Sequence, residues 1–304
     1  MIKLYNIEDN CIKPVESGDA QILVYINPGD ADKEELISKY AIDEHTLNSA
    51  LDPEELSRLE QEPEHISIIL NRPKNYSGKD KLLFKIASMG FFLFKDKLII
   101  IISEDLPLFI GKRFKKVTGL REVVLKLIYN SIFHYVEHLK IINMISDELE
   151  KKISESMENK YLLNLFSLEK SLVYYYNAIN SNGFVFAKLR NGAEKLGFNI
   201  EETEMLDDII IENQQCLRQT EIYSNILSGM MDARASVVSN NLNRLMKTLN
   251  LITIAIMIPT LVVSIFSMNV GIPLQGHPYA FWLILALSVL SVMVTIKYWK
   301  YKKW

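Results

Sequence analysis

Residues 251–266, LITIAIMIPTLVVSIF, and residues 279–296, YAFWLILALSVLSVMVTI, are two apolar runs without a charged side chain. A helix needs about 20 apolar residues to cross roughly 30 Å of hydrocarbon at about 1.5 Å per residue. Each run reaches that length when its helix continues into the flanking residues, over 249–268 and 279–297. The sequence therefore predicts two transmembrane helices. The competing interpretation is a buried hairpin in a soluble core.

Basic residues flank this pair of runs on both sides, whereas the connection between them, 269–278, has no Lys, Arg, Asp or Glu. Arg244 and Lys247 precede the first run. The second run is followed by Lys297, Lys300, Lys302 and Lys303. Because positive charge is retained on the cytoplasmic side, we expect both termini inside, the connection outside and the tail 298–304 cytoplasmic. The sequence thus predicts a two-span protein of the cytoplasmic membrane, with the lipid bilayer as a partner.

The charge balance of the chain excludes other classes of protein. Its 304 residues carry 34 Lys and Arg against 37 Asp and Glu, a formal net charge of -3. That balance lacks the basic excess with which nucleic-acid-binding proteins neutralise phosphates, so we expect no nucleic-acid partner. The two cysteines, Cys11 and Cys216, are too few for a disulfide framework and too far apart for a metal knuckle.

The part before the spans changes character near residue 115. Residues 1–115 predict a cytoplasmic α/β domain, because helix formers over 34–40 and 44–59 alternate with short β-rich runs at 22–26, 66–70, 91–94 and 98–102. Beyond residue 115, short runs rich in β-forming residues are almost absent. Two long amphipathic patterns, 117–157 and 161–189, predict an antiparallel helical arm over 116–198, with its turn near residues 158–160.

A third long helix is predicted after the arm. Residues 200–258 contain no proline and only Gly229 as a weak breaker, which predicts one helix of about 90 Å. We interpret 199–248 as a stalk, since a helix of that length does not pack inside a small domain. The expected fold class is an α+β membrane protein with an N-terminal α/β domain and a long-helix arm. Its very long stalk helix continues into the first of two C-terminal transmembrane helices.

The two spans differ, because polar side chains and methionines recur along the first at intervals of three and four residues. This polar stripe consists of Asn243, Met246, Asn250, Thr253, Met257, Thr260 and Ser264. Such a stripe either forms a packing seam between helices or lines a water-filled pore. Two helices alone cannot enclose a pore, so the second interpretation requires several copies of the chain around an axis.

The residues at the outer end of the first span read Ser267-Met268-Asn269. They resemble the signature of the CorA family of magnesium transporters, in which Gly-Met-Asn ends the first of two C-terminal spans. That family also has a stalk helix, a paired-helix arm and an N-terminal α/β domain, so the resemblance covers the whole chain in outline. Its specific part begins at Ser228-Gly229, continues through Ser239-Asn240 and residues 246–249 to Asn269, and includes the basic tail 297–304.

The resemblance implies a homopentamer that carries Mg²⁺, and Co²⁺ or Ni²⁺ besides, down its electrochemical gradient without an organic cofactor. Asn269, with Met268 and Ser267, takes the place of the selectivity ring. Met246 and Leu249 take the place of an apolar constriction. The positions that match the family's pore are Asn243, Met246, Leu249, Thr253, Met257, Thr260 and Ser264, so Leu249 replaces Asn250 of the polar stripe.

The resemblance also implies a regulatory magnesium site on the cytoplasmic side. Asp208, with Asp207 beside it, matches the stalk member of that site. Its partner acids belong to a neighbouring subunit, but at their positions this chain has Asn48 and Ser49, with Asp52 close by. We therefore expect the sensing of cytoplasmic magnesium to be weaker than in the family, or moved.

Two further departures concern the outer mouth. Ser267 replaces the glycine of the signature, and glycine permits backbone angles that serine does not. Serine therefore either displaces the Asn269 ring or adds an oxygen at the mouth. The connection 269–278 has no acidic residue and only His277 as a titratable group, so its electrostatic steering of cations is expected to be weak.

Two alternatives to a magnesium transporter stay open: transport of Zn²⁺ or another divalent ion by the same fold, and a membrane-anchored scaffold that conducts nothing. No enzyme is expected, and the sequence has no Walker-type motif. His134 and His138 lie one helical turn apart without a third zinc ligand, so we interpret them as a solvated face. The tyrosines at 174–176 are interpreted as packing residues.

Overall fold

The computed structural model describes residues 1–16, 18–76, 82–155, 159–271 and 276–302. Residues 156–158 near the predicted arm turn, residues 272–275 of the predicted outer connection and residues 303–304 of the tail, which include Lys303, lie outside them. The first elements are β1 Ile2–Glu8, β2 Cys11–Val15, β3 Ile22–Ile26, α1 Asp30–Tyr40, α2 Glu44–Ser49, β4 Arg58–Gln61, β5 His65–Pro73, β6 Ile86–Phe94 and β7 Leu98–Ile102. The later helices are α3 Leu120–Glu155, α4 Asn159–Asn191, α5 Ile200–Phe266 and α6 Ala280–Tyr301.

The strands form one mixed sheet in the order β2-β1-β3-β7-β6-β5-β4. The pair β3 and β7 runs parallel, whereas the other neighbouring pairs are antiparallel. The predicted runs at 22–26, 66–70, 91–94 and 98–102 are confirmed as β3, β5, β6 and β7. Every residue of β3 and β7 is buried. Burial on both faces explains why these strands read as continuous apolar runs rather than as alternating ones.

The remaining strands were not predicted from the sequence. β1 and β2 lie at one edge of the sheet and are only half-buried, so their apolar pattern is weak. The predicted helix over 44–59 is wrong beyond Ser49, because β4 pairs there with β5 and places Arg58 opposite Ile69. Pairing with the sheet overrides local helix propensity at this edge.

Helices cover both faces of the sheet. Along β3, Leu23 and Tyr25 pack in a cluster with Leu36 of α1 and Leu47 of α2. The alternate side chains of β3, such as Val24, belong to a larger cluster that also includes residues of α3, α4 and the first part of α5. Sheet and arm therefore share one hydrophobic core. Successive side chains of a strand point to opposite faces, so the alternate residues of β3 pack in different clusters when both faces are covered.

The chain divides into two compact units, Met1–Met231 and Asp232–Trp304. The predicted boundaries at 115 and 198 fall inside the first unit, because the arm packs on the sheet. Helix α5 contributes to both units and continues past Pro259 to Phe266. The expected α+β class, with long helices and two C-terminal apolar helices, is confirmed.

Both α5 and α6 are long and apolar enough to cross a membrane. In the most apolar 18-residue window of α5 no residue is buried, and in that of α6 only 6% are. The core of a soluble protein would bury such side chains. The competing interpretation, a buried hairpin in a soluble core, therefore does not fit the chain.

Candidate functional site

The polar stripe lies on one exposed face of α5. At about 100° per residue, its members fall within an arc of about 100° that is centred between Ser264 and Met257. All of them are exposed in the single chain: Asn243, Met246, Asn250, Thr253, Met257, Thr260 and Ser264. Leu249, the position implied by the family resemblance, is also exposed. The stripe predicted from spacing is thus a continuous surface without cover from its own chain.

A second face of α5 is half-buried and wholly apolar over the predicted span. It consists of Leu251, Ala255, Ile258, Pro259, Val262 and Phe266. By the helical repeat this half-buried face lies about 180° from the polar stripe. The stripe is therefore not a seam with anything in its own chain. In a membrane it would leave amides and hydroxyls in hydrocarbon unless other copies of the chain or water covered them.

The two threonine hydroxyl groups of the stripe are already bonded within α5. Thr253 Oγ1 donates to the Leu249 carbonyl at 2.9 Å, and Thr260 Oγ1 donates to the Ile256 carbonyl at 2.7 Å. Such bonds to a carbonyl one turn back are common for Ser and Thr in helices. Because each proton is used by the backbone, the oxygen presents lone pairs outward. These oxygens can accept hydrogen bonds from the water shell of a cation.

Two apolar side chains lie near the N-terminal end of the stripe. Met246 and Leu249 are 50% and 56% exposed, and they lie within one helical turn of each other. Asn243 precedes this pair and is exposed, as is Asn250. Around a common axis, two rings of such side chains would form a constriction that excludes water.

The signature, Ser267 to Asn269, follows directly after the end of α5 at Phe266. Ser267, Met268 and Asn269 are all exposed. Neutral amide oxygens such as that of Asn269 suit a hydrated divalent ion, because magnesium dehydrates reluctantly and commonly keeps several waters. The structure therefore brings the signature and the polar stripe onto one helix and its end, while residues 272–275 of the outer connection lie beyond the described ranges.

The acids assigned to a regulatory site do not form a metal-binding group within the described part of the chain. Over the described ranges, no three His, Cys, Asp or Glu side chains are grouped so that they could hold a metal ion. Asp207 Oδ1 accepts a hydrogen bond from Arg190 Nε at 2.6 Å, which raises the pKa of Arg190. Asp208 is exposed, and so is Asp52, whose Oδ1 accepts a hydrogen bond from Glu54 N at 2.9 Å. The described donors of one chain therefore supply no cluster of three protein ligands for a regulatory magnesium ion.

Two cationic side chains occupy the place where the family resemblance puts partner acids. Lys33 Nζ donates to Asn48 Oδ1 at 3.0 Å, and an Arg58 amino group donates to Ser49 Oγ at 2.5 Å. The same Arg58 nitrogen lies 3.0 Å from His45 Nδ1. Neither cation was predicted from the sequence. The helix predicted over 44–59 gave no reason to expect Arg58 in this place, and the contact of Lys33 depends on how α1 packs beside α2.

The histidine pair on α3 differs from its prediction. His138 is only 5% exposed, and its Nδ1 lies 2.5 Å from the Tyr175 hydroxyl of α4. The prediction of a solvated face is therefore wrong for His138, because α4 covers this side of α3. Burial, followed by the charge of neighbouring His134, lowers the pKa of His138 to about 4. The packing role predicted for the tyrosines is confirmed at Tyr175, which is fully buried.

Comparisons with known proteins agree with this arrangement. Residues 18–300 match the family described as CorA-like Mg²⁺ transporter protein. The cobalt/magnesium transport protein CorA of Methanocaldococcus jannaschii is 24% identical over 293 residues, which cover 91% of this chain and 89% of that protein. A protein with the same description from Thermotoga maritima is 26% identical over 183 residues, 59% of this chain and 52% of its own length.

The fold is also found among solved structures. The complete structure of the CorA magnesium transporter from Methanocaldococcus jannaschii superposes with a TM-score of 0.82 at 20% identity. The superposition covers 99% of this chain and 97% of that one. At this identity the likeness establishes the fold, including the order of sheet, arm, long helix and C-terminal helix.

Proposed function

Because the chain belongs to the CorA-like Mg²⁺ transporter family and is a membrane protein, we propose that it carries Mg²⁺ across the cytoplasmic membrane, with Co²⁺ or Ni²⁺ as further cargo. The observation that carries the proposal is the polar stripe of α5, which lies opposite the half-buried apolar face. Water or other copies of the chain must cover such a stripe in a bilayer. A central aqueous path satisfies all of its polar groups at once.

The path requires several copies of the chain, and we propose a homopentamer with the α5 helices around the axis. In this arrangement the pore-lining residues are Asn243, Met246, Leu249, Thr253, Met257, Thr260 and Ser264. Thr253 and Thr260 would then contribute rings of hydroxyl oxygens whose protons are bonded to their own helix. Rings of acceptors suit a hydrated cation, whose water molecules donate hydrogen bonds outward.

Selectivity is assigned to the ring of Asn269, supported by Met268 and Ser267. Amide oxygens bind the water shell without the strong attraction of carboxylates, so the ion can leave as well as enter. The ring of Met246 and Leu249 is assigned as an apolar gate that closes by dewetting. A membrane potential of about 100 mV supplies about 2.3 kcal/mol per charge, hence about 4.6 kcal/mol for a divalent ion, and drives entry without ATP.

The orientation follows from charge. Arg244 and Lys247 precede the first span and Lys297 follows the second, so we propose that both termini are cytoplasmic. Closure by cytoplasmic divalent ions belongs to the same proposal. Asp208 is its candidate residue, because it is exposed and has no ion pair within the described part of the chain. A site there would have to be shared between copies.

Ion flux into proteoliposomes tests the proposal. Native chain should admit Mg²⁺ under an inside-negative potential, and Asn269→Ala should lower the influx about tenfold or more, because each copy loses a hydrogen-bond acceptor for the hydrated ion. The matched control is Asn177→Ala, which removes an exposed amide on α4 and should leave influx unchanged.

Three results would contradict the proposal or revise it. No influx of any divalent ion would favour the non-conducting scaffold. Influx of Zn²⁺ without Mg²⁺ would favour a zinc transporter of the same fold. Full Mg²⁺ influx through Asn269→Ala would remove the selectivity role of the signature. No observation on the described residues favours either alternative over magnesium.

A further inference from the structure

Ser267 occupies the position at which the family signature has glycine, and the structure shows how serine is accommodated. Its backbone does not need glycine's freedom, since Ser267 is not among the described non-glycine residues with positive φ. Its Oγ donates to the Ser264 carbonyl at 3.0 Å, and its N–H donates to the same oxygen at 3.2 Å. The side chain therefore closes the last turn of α5 with a second bond that glycine cannot make.

The surroundings of Ser267 connect the end of α5 to α6. Together with Val263 and Phe266, Ser267 lines a cavity of about 230 Å³ whose other wall is formed by Phe281, Ile284 and Leu285 of α6. The apolar wall offers no hydrogen-bond partner, so bonding to the carbonyl of its own helix satisfies the hydroxyl.

We propose that Ser267 is a positioning residue that holds Asn269 at the end of α5 through its hydrogen bond to Ser264. Two peptide units separate Ser267 from Asn269, so rotation at Ser267 moves the amide directly. Back-bonding to Ser264 restricts that rotation in this chain, where the family uses a glycine. The inference rests on the proposed function, because it assigns to Ser267 the placement of the same amide ring.

Four variants of the full chain, each in lipid nanodiscs and in proteoliposomes, test this role. Ser267→Ala removes the hydroxyl and keeps Cβ, Ser267→Gly removes both, and Ser267→Thr keeps the hydroxyl and adds a methyl group toward the cavity. The matched control is Ser291→Ala on α6, which removes a similar bond, from Ser291 Oγ to the Ser288 carbonyl at 2.7 Å. Ser291 belongs to neither the signature nor the polar stripe.

The first readout does not depend on transport. Hydrogen–deuterium exchange of the amides at 268–271 should be about threefold to tenfold faster in Ser267→Ala and Ser267→Gly, the range that corresponds to the loss of one hydrogen bond. Ser267→Thr should exchange as the native chain does, and so should Ser291→Ala in this segment. Unchanged exchange in Ser267→Ala would overturn the proposal.

The second readout separates positioning from a loss of folded protein. Ser267→Ala and Ser267→Gly should raise the KM for Mg²⁺ influx about threefold to tenfold and change the ratio of Mg²⁺ to Co²⁺ influx, and Ser267→Thr should restore both. Native or faster influx through Ser267→Gly would overturn the proposal. If the native chain carries no divalent ion, the proposed function fails, and the exchange readout alone decides whether Ser267 holds the end of α5.

Discussion

At the residue scale, Asn182 of α4 holds that helix to the sheet. Its Oδ1 accepts hydrogen bonds from Ser57 Oγ at 2.6 Å and Asn71 N at 3.0 Å, and its Nδ2 donates to the Asn71 carbonyl at 2.7 Å. Asn182 is 2% exposed, so water does not replace these partners readily. One amide therefore fixes α4 to β5 and to the segment before β4.

We predict that Asn182→Ala lowers the free energy of unfolding by about 1–3 kcal/mol, because the buried Asn71 N–H loses its acceptor and the Asn71 carbonyl keeps only the hydrogen bond from the Tyr135 hydroxyl. Chemical unfolding of the full chain in detergent, monitored by tyrosine and tryptophan fluorescence, measures the change. Asn177→Ala on the same helix removes an exposed amide and should shift the transition little. Equal shifts in both variants would show that Asn182 does not hold α4 to the sheet.

Asp208 provides a second prediction at this scale. If cytoplasmic Mg²⁺ closes the pathway through the exposed stalk carboxylate, Asp208→Asn should raise the internal Mg²⁺ concentration needed for half-maximal inhibition of influx. Asp207→Asn is the matched comparison, because Asp207 is already paired with Arg190 and should have a smaller effect on inhibition. Inhibition unchanged in Asp208→Asn would place the regulation elsewhere in the molecule.

At the element scale, α3 and α4 meet at the hydrogen bond between His138 and Tyr175. Burial raises the pKa of Tyr175, so its phenol stays protonated, and its hydroxyl shares a hydrogen bond with His138 Nδ1. The pKa of His138 is lowered to about 4, whereas an unfolded histidine takes up its proton at about 6.5. The unfolded chain therefore binds more protons between these values, and stability falls as pH drops through that window.

We predict that the melting temperature of the native chain decreases between pH 7 and pH 5, and that His138→Gln decreases less over the same interval. Glutamine keeps an acceptor for the Tyr175 hydroxyl and does not titrate. His134, whose pKa is also lowered by burial, stays in both proteins, so the comparison isolates His138. Identical pH dependence in the two proteins would contradict the assignment.

Sequence patterns predicted best the strands that are buried on both faces and the long helix without a strong breaker. β3 and β7 were found because both of their faces are covered, and α5 because no strong breaker interrupts 200–258. β1, β2 and β4 were missed, since edge strands carry weak patterns and depend on pairing with distant residues. The fully buried side of α3 at His138 was missed for the same reason, because the covering helix begins about 20 residues later.

At the scale of the whole molecule, the sequence predicted the polar stripe of α5 and few of the contacts around the acids assigned to regulation. The polar stripe follows from helical spacing alone, and its exposure opposite the half-buried face agrees with that spacing. The pairs Arg190–Asp207 and Arg58–Ser49 were not predictable, because each joins residues that only the tertiary fold brings together. Local periodicity is therefore enough to predict the stripe on one helix, whereas contacts between distant residues depend on tertiary packing.

The proposed ion path also predicts that several copies of the chain assemble around one axis. Native mass spectrometry of detergent-solubilised protein should give five copies of the 35.0 kDa chain. A closed ring covers the polar stripe of every copy, whereas a monomer leaves its own stripe exposed. A purely monomeric protein under conditions that retain Mg²⁺ influx would contradict the shared axis, and a ring of another size would correct the copy number.

The most direct test of the shared aqueous path is thiol modification along α5 with Mg²⁺ influx as the readout. Single cysteines replace Thr253 or Thr260 of the polar stripe, or Ala255 or Val262 of the half-buried face, in a Cys11→Ser background. Native Cys216 can stay, because it is buried and burial raises its pKa to about 12, so it remains an unreactive thiol.

A membrane-impermeant, charged thiol reagent should stop Mg²⁺ influx through the chains with cysteine at 253 or 260 and leave influx through those with cysteine at 255 or 262 unchanged. That pattern would follow the helical repeat of the stripe. Block at 255 and 262 with none at 253 and 260, or no block at any of the four positions, would contradict a water-filled path along this face of α5.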